Sequence, residues 1–315
     1  FRSSYAIQAD VAFIFLRWAY KTAARRLVTA MNQAINAGYL GKDILGSGYS
    51  LEMHIHTSSG RYMCGEEEGM LDALEGGRAV PRSTPPHPTS VGLWGLPTVA
   101  NNVETVCNVP HIVRQGADWF KGLSRTDNGG TKIYGASGHV NSPGLWELPM
   151  GATVGEVLDC ADGMMKGYEY RGVLPGGAST SFLGPDQLDV QLDFDATAEA
   201  GSRMGTGTMI ILDDHTCPVG LVYGMMKFFA RESCGWCTPC REGLPWVRNT
   251  LEALEKGDGV PEDLEVLKHN CEKIRMHWTF CALAPGAMMP LESAMKLYEE
   301  DFQRHIDEQR CPWKT

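Results

Sequence analysis

Three cysteines in Cys234-Gly-Trp-Cys237-Thr-Pro-Cys240, with a fourth in Thr279-Phe280-Cys281-Ala282, constrain this 315-residue chain more than any other feature. Thiolates at i, i+3 and i+6 can converge on one centre if the loop wraps around it, and a distant fourth then closes the site. A [4Fe–4S] cluster takes four such ligands, and proline beside a ligand cysteine suits an iron–sulfur loop. The competing reading is a four-cysteine zinc site, which usually draws on two separated pairs; the triple spacing favours the cluster. Cys107, Cys160, Cys217, Cys271 and Cys311 are scattered singly and read as ordinary thiols. Ten cysteines are too few for a disulfide scaffold, so the sequence fits a reducing compartment with one cysteine-rich site.

Apolar residues make up 43% and charged residues 21% of the chain, enough to bury real cores in two or three domains. The net charge of −10 argues against nucleic acid and against an anionic lipid surface as partners. No apolar run approaches the roughly 18 residues of a membrane span, so no direct membrane insertion is expected; the longest dense run, Val11 to Leu16, is strand-sized. The chain opens on Phe1 without a basic–apolar–small leader, and we read its true start as lying upstream.

Val11–Trp18 reads as a buried strand, Ala19–Ala37 as a helix with an apolar stripe, and Leu51–His56 as a second strand. That strand–helix–strand unit predicts parallel pairing. Glu66–Leu74 reads as a helix ended by Gly76 and Gly77, and the five prolines of Pro81–Pro97 as an ordered irregular loop. Lys132–Val140, Gly144–Leu148, Tyr170–Leu174 and Met209–Leu212 read as strands around a short helix at Thr153–Cys160, a small α+β domain. From Leu221 onward the pattern turns helical, with four helices expected between Val219 and Gln309.

A second signal is Gly60-Arg-Tyr62-Met-Cys64-Gly65-Glu66-Glu67, a glycine turn leading into a helix start. Free backbone N–H groups and a positive dipole end there suit a phosphate or a flavin edge; acidic residues in a first turn are also ordinary dipole stabilisers. The third is Asn101-Asn102-Val-Glu104-Thr105, an amide pair able to hydrogen-bond a polar ring, or simply a turn or helix cap. His54 and His56 share a strand face but lack an evident third ligand. The glycines of Gly201–Gly207 precede a strand, whereas a dinucleotide fingerprint follows one.

Together, Glu232-Ser-Cys-Gly-Trp-Cys-Thr-Pro-Cys-Arg-Glu-Gly243, Thr279-Phe-Cys281, Tyr62–Glu67 and Asn101–Thr105 closely resemble the NADH-binding, FMN-carrying F subunits of bacterial respiratory complex I (NADH:quinone oxidoreductase). The resemblance implies an α/β, then α+β, then all-α chain. A partial Rossmann-like FMN domain would occupy residues 1–125, a β-grasp domain of the SLBB type 126–214, and a helical bundle with the iron–sulfur cluster 215–315. It implies that Tyr62, Gly65, Glu66 and Glu67 line the flavin and nicotinamide cavity, Glu67 positioning the nicotinamide. Ala100, Asn101, Asn102 and Thr105 would contact FMN, and Cys234, Cys237, Cys240 and Cys281 would hold the 4Fe–4S cluster. The implied activity is hydride transfer from NADH to FMN, then single-electron transfer to the cluster and on to quinone through partner subunits. The implied partners are NADH, the 2Fe–2S-carrying E subunit and the large iron–sulfur G subunit, in a complex on the cytoplasmic side of the bacterial inner membrane.

The chain departs from the family's pattern in four places. The glycine-rich flavin loop is absent, so these residues alone are expected to be inactive. Thr84-Pro-Pro-His87-Pro stands where the family has Lys-Pro-Pro-Phe-Pro, Leu96 where a lysine is common, and Glu68 where threonine is usual. Two positive charges and a ring are thereby missing from the expected dinucleotide mouth. The alternative is an NADH-inactive structural or electron-transfer subunit of a related hydrogenase or formate dehydrogenase complex.

Overall fold

A computed structural model describes residues 2–314; Phe1 and Thr315, the outer bounds of the first and third expected domains, lie outside the described residues. The chain divides into two units, Phe1–Gly116 and Ala117–Thr315. Among the described residues there are twelve α-helices and six strands in two small sheets, a mixed α/β protein.

The first unit contains α1 (Arg2–Ala6), β1 (Val11–Arg17), α2 (Lys21–Asn36), β2 (Glu52–Ser58), α3 (Glu67–Leu74) and α4 (Val103–Gln115). β1 and β2 pair in parallel, from Val11 opposite Glu52 to Arg17 opposite Ser58, as the crossover helix requires. β1 is half-buried rather than buried, because its sheet has two strands and α2 offers only a narrow apolar face. Leu27, Met31 and Ala34 of the stripe are half-buried, while Ala23, Ala30 and Ile35 stay exposed. Leu40, Ile44 and Leu51 form the buried cluster, with Met31, Ala34 and Met53 against it. His54 stacks on Phe13 and His56 on Phe15, their cross-strand neighbours, so packing accounts for both imidazoles.

The second unit contains α5 (Ala117–Gly122), β3 (Thr131–Ser137), β4 (Gly144–Pro149), α6 (Val154–Cys160), β5 (Tyr170–Leu174), α7 (Phe194–Glu199) and β6 (Thr208–Asp213). The sheet runs β4-β3-β6-β5, with β3 and β6 parallel and the outer pairs antiparallel. Tyr134, Val154, Val157, Val173, Leu192 and Met209 fill the core under α6. The Tyr134 hydroxyl donates to the Leu192 carbonyl at 2.6 Å, so this buried phenol keeps a partner. Thr153 and Glu156 close a reciprocal capping box at the start of α6.

Five helices follow where the sequence predicts four: α8 (Pro218–Glu232), α9 (Thr238–Lys256), α10 (Pro261–Lys273), α11 (Leu283–Leu297) and α12 (Glu299–Asp307). The apolar stripe from Leu291 to Ile306 is broken at Tyr298, whose backbone leaves the helical region. Tyr298 is needed elsewhere: its hydroxyl donates to the Arg171 carbonyl at 3.2 Å and its ring packs edge-on to Phe182. A Cβ on Gly172 would stand 2.3 Å from that hydroxyl, so only glycine fits there. Arg171 also pairs with the nearly buried Asp301 at 2.7 Å, fastening the sheet to the bundle.

Candidate functional site

α8 ends at Glu232, and the chain turns through Ser233 and Gly235, the latter at φ +79. α9 then opens with Cys237 as its N-cap and Pro239 in the first turn. Cys234 therefore lies on the loop, Cys237 at the cap and Cys240 inside the first turn. Arg241 pins the loop, donating to the Gly235 carbonyl at 3.1 Å and to the Thr238 hydroxyl at 3.4 Å. Cys281 stands just before α11, and Trp236 meets Phe280 edge-on at 5.8 Å between ring centres. Burial pushes the Cys240 thiol up to about 12; Ser233, 3.1 Å away, works against that rise, and Cys237, Cys281 and Cys234 add to it.

Four cysteine ligands suit either a [4Fe–4S] cluster or a four-coordinate zinc ion. The first turns of α9 and α11 direct their positive ends toward the cysteines, which favours an anionic centre.

In the first unit, a 3₁₀ turn over Tyr62–Gly65 leads into α3. Gly60, at φ +90, lies so near the Trp18 indole that a Cβ would fall 2.1 Å from its nitrogen. Tyr62, Gly65 and Glu67 are exposed, and Glu66 is half-buried. The Glu66 carboxylate accepts from the Gly69 N–H at 2.7 Å and so caps the helix. Glu68 is buried and its Oε2 lacks a hydrogen-bond partner. Burial raises the Glu68 carboxyl above its ordinary value, and the charge of Glu66 adds to that rise. Three carboxylates at this helix start repel a phosphate, so the turn fits the polar edge of a ring rather than a phosphate cradle.

Asn102 is the N-cap of α4, its side chain accepting from the Glu104 N–H at 2.8 Å. The capping reading of Asn101-Asn102 is thus realised at Asn102. Asn101, Asn102 and Thr105 are exposed and Ala100 is half-buried, leaving amide groups within reach of a ligand. The proline loop is ordered by Arg82, which holds Asp72 at 2.6 Å and Glu75 at 2.7 Å and donates to the Gly92 carbonyl at 3.3 Å. Thr84, His87 and Leu96 are exposed on it.

Two of the cysteines read as ordinary thiols, Cys217 and Cys311, come together with Glu255 and His305. They are 94 positions apart in sequence, so no local spacing marks them; a proline following each is the one feature they share.

Two family descriptions match the chain: Nuo51 FMN-binding domain over residues 3–111, and NADH-ubiquinone oxidoreductase-F iron-sulfur binding region over residues 220–305. The NADH-quinone oxidoreductase F subunit of Salmonella typhimurium is 48% identical over 305 residues, covering 96% of this chain and 68% of that protein. The NADH-quinone oxidoreductase F subunit of Mycobacterium bovis is 42% identical over 311 residues, covering 99% of this chain and 70% of that protein. Among solved structures, NAD+-reducing [NiFe]-hydrogenase in the H2-reduced state matches with a TM-score of 0.84 at 32% identity. That match takes in 98% of this chain, which spans about half (51%) of the hydrogenase chain.

Proposed function

The chain belongs to the family of NADH-quinone oxidoreductase F subunits, and from that premise we propose that it is the electron-entry subunit of a multi-subunit NADH dehydrogenase. The observation that carries the reading is the match of residues 220–305 to the iron-sulfur binding region of NADH-ubiquinone oxidoreductase F, a span that holds Cys234, Cys237, Cys240 and Cys281 at the starts of α9 and α11. Bound FMN would supply conversion of a two-electron hydride into single electrons, and the cluster would receive them. No side chain need act as nucleophile or general acid.

Within that reading the chain's own residues have separate tasks. Tyr62, Gly65, Glu66 and Glu67 line the ring cavity. Glu67, exposed at the first position of α3, orients the nicotinamide by accepting from it. Ala100, Asn101, Asn102 and Thr105 meet the polar edge of FMN. The bundle excludes water from Cys240 and leaves Cys234, Cys237 and Cys281 partly open. The domain division 1–125, 126–214 and 215–315 belongs to the proposal, with a Rossmann-like first part and an SLBB-type β-grasp second. Supporting them are the parallel β1-α2-β2 unit and a four-stranded sheet with a parallel central pair. The E and G subunits are the proposed neighbours, on the cytoplasmic face of the inner membrane. No helix among the described residues is long and apolar enough to cross a membrane. The hydrogenase similarity lies within the same family and does not favour the alternative reading.

The test uses the full-length protein, reconstituted anaerobically with iron, sulfide and FMN. NADH should bleach the flavin absorbance, and a reduced-cluster EPR signal should follow. A protein that retains FMN and about four irons yet shows no bleaching at millimolar NADH overturns electron entry from NADH.

A further inference from the structure

The bundle contains a second constellation of ligand-type side chains that electron entry does not use. Cys217 is the N-cap of α8, Glu255 lies in the last turn of α9, His305 is on α12, and Cys311 follows that helix. Glu255, His305 and Cys311 are buried and Cys217 partly so. One ligand atom from each lies within 4.8 Å of all the others. Cys217 Sγ is 3.2 Å from Glu255 Oε1 and 3.4 Å from His305 Nε2, and those two atoms are 3.2 Å apart. Bonds of about 2.0–2.3 Å to one zinc ion give tetrahedral edges of about 3.3–3.8 Å, and the three measured edges are close to that range.

We propose that Cys217, Glu255, His305 and Cys311 bind a structural zinc ion that ties four parts of the helical bundle together. The surroundings are arranged as a metal's outer shell is. His305 Nδ1 lies 2.6 Å from the Asp301 carbonyl, which can only accept, so Nδ1 carries a proton and Nε2 is the ligand atom. The Gly220 N–H donates to Cys217 Sγ at 3.2 Å, which holds the sulfur in place and works against the rise that burial imposes on this thiol. Lys314 Nζ binds the outer Glu255 oxygen at 2.6 Å and leaves Oε1 facing the site.

The charges close with zinc present. Two thiolates, one carboxylate, a neutral imidazole, Zn²⁺ and the Lys314 ammonium sum to zero. Binding releases the two thiol protons to solvent. Without zinc, a thiol, an imidazole nitrogen and a carboxylate oxygen crowd together in a buried space, and the one cation at hand, Lys314, reaches only the outer carboxylate oxygen. Four protein ligands leave no open position, so the role is structural, not catalytic. Thiolate and imidazole ligands suit zinc over magnesium or calcium.

The full-length, cluster-loaded protein, purified and dialysed against a mild chelator, should carry about one zinc beside about four irons. Zinc K-edge absorption should show two sulfur and two nitrogen or oxygen neighbours. Cys311→Ser and His305→Gln should each lose the zinc and keep the iron. If those variants fail to fold, the wild-type spectrum still decides, because zinc misplaced in the cluster site would show four sulfurs. Four sulfurs, no zinc after added zinc is dialysed away, or a Cys217–Cys311 disulfide in the intact mass would each overturn the proposal.

Discussion

The loop cysteines and the buried quartet lie in one bundle and are built in opposite ways. Cys234, Cys237 and Cys240 come from seven consecutive residues, and three of the four loop thiols are partly exposed. The quartet draws on the cap of α8, the last turn of α9, α12 and the segment after it, and three of its members are buried. A centre that passes electrons to a neighbour has to sit near a surface, and a short loop can present it there. A centre that fastens helices has to sit where they meet, and only the finished fold supplies it. Damage to the first kind should therefore appear as lost cofactor, and damage to the second as lost stability.

The largest expected effect tests that separation directly. Cys240→Ser should abolish the cluster, taking iron from about four to near zero, while the content at Cys217, Glu255, His305 and Cys311 is unchanged. Iron and zinc counted on the same sample decide it; loss of both metals together would mean the two sites form a single unit and the contrast is false. Next comes packing. Phe302 lies on α12, one turn before His305, and is 1% exposed. Phe302→Ala should cost about 3–5 kcal/mol, whereas Cys234→Ser in the metal-free chain should stay within about 0.5 kcal/mol. Urea midpoints at constant slope measure both.

The same contrast explains what could be read from the sequence. Strand–helix–strand periodicity gave β1, α2 and β2, and the short strand-like runs around the Thr153–Cys160 helix gave all four strands of the second sheet. The cysteine loop was legible because three of its cysteines fall within seven residues. α4 was not, since Pro110 interrupts its pattern and the Asn101-Asn102 pair drew the reading to its polar groups. The α11–α12 break was hidden because Tyr298 continues the apolar stripe while its backbone does not continue the helix. The quartet was invisible because Cys217 and Cys311 meet only after five helices have packed.

Asp213 gives a measure of a buried acid that needs no metal. Burial alone would raise its carboxyl. Hydrogen bonds from His139 at 2.7 Å, the Thr216 hydroxyl at 2.9 Å and the His215 N–H at 2.9 Å outweigh that and hold it below the ordinary carboxylate value. The ionised form is the one the fold stabilises. Its contribution is complete above about pH 4 and is lost as pH falls through the depressed native value. Asp213→Asn should cost about 2 kcal/mol at pH 6 and less at acid pH, as the native carboxyl takes up its proton. Equal destabilisation at both pH values would show that shape, not charge, matters at this position.

The smallest effect belongs to the exposed proline loop of the first unit, which the proposed function places beside the dinucleotide. Thr84 and His87 are exposed, and Arg82 anchors the loop from behind, so a longer side chain at 84 has room and leaves the fold alone. A lysine beside a diphosphate contributes about 1.5–3 kcal/mol, and exposure to water reduces that. Thr84→Lys in the full-length protein should therefore lower the KM for NADH about tenfold with kcat nearly unchanged, because the contact is the same in ground and transition states. His87→Phe should add less, since imidazole is already a ring; stacking gains of roughly 1 kcal/mol are the ceiling. The gain from lysine should shrink with added salt and that from phenylalanine should not. Steady-state NADH oxidation with ferricyanide at two salt concentrations makes the measurement. An unchanged KM in both variants would mean that the loop does not face the dinucleotide. A melting temperature that moves while KM stays fixed would put Thr84 with the structural residues and break the contrast at the place where it is weakest.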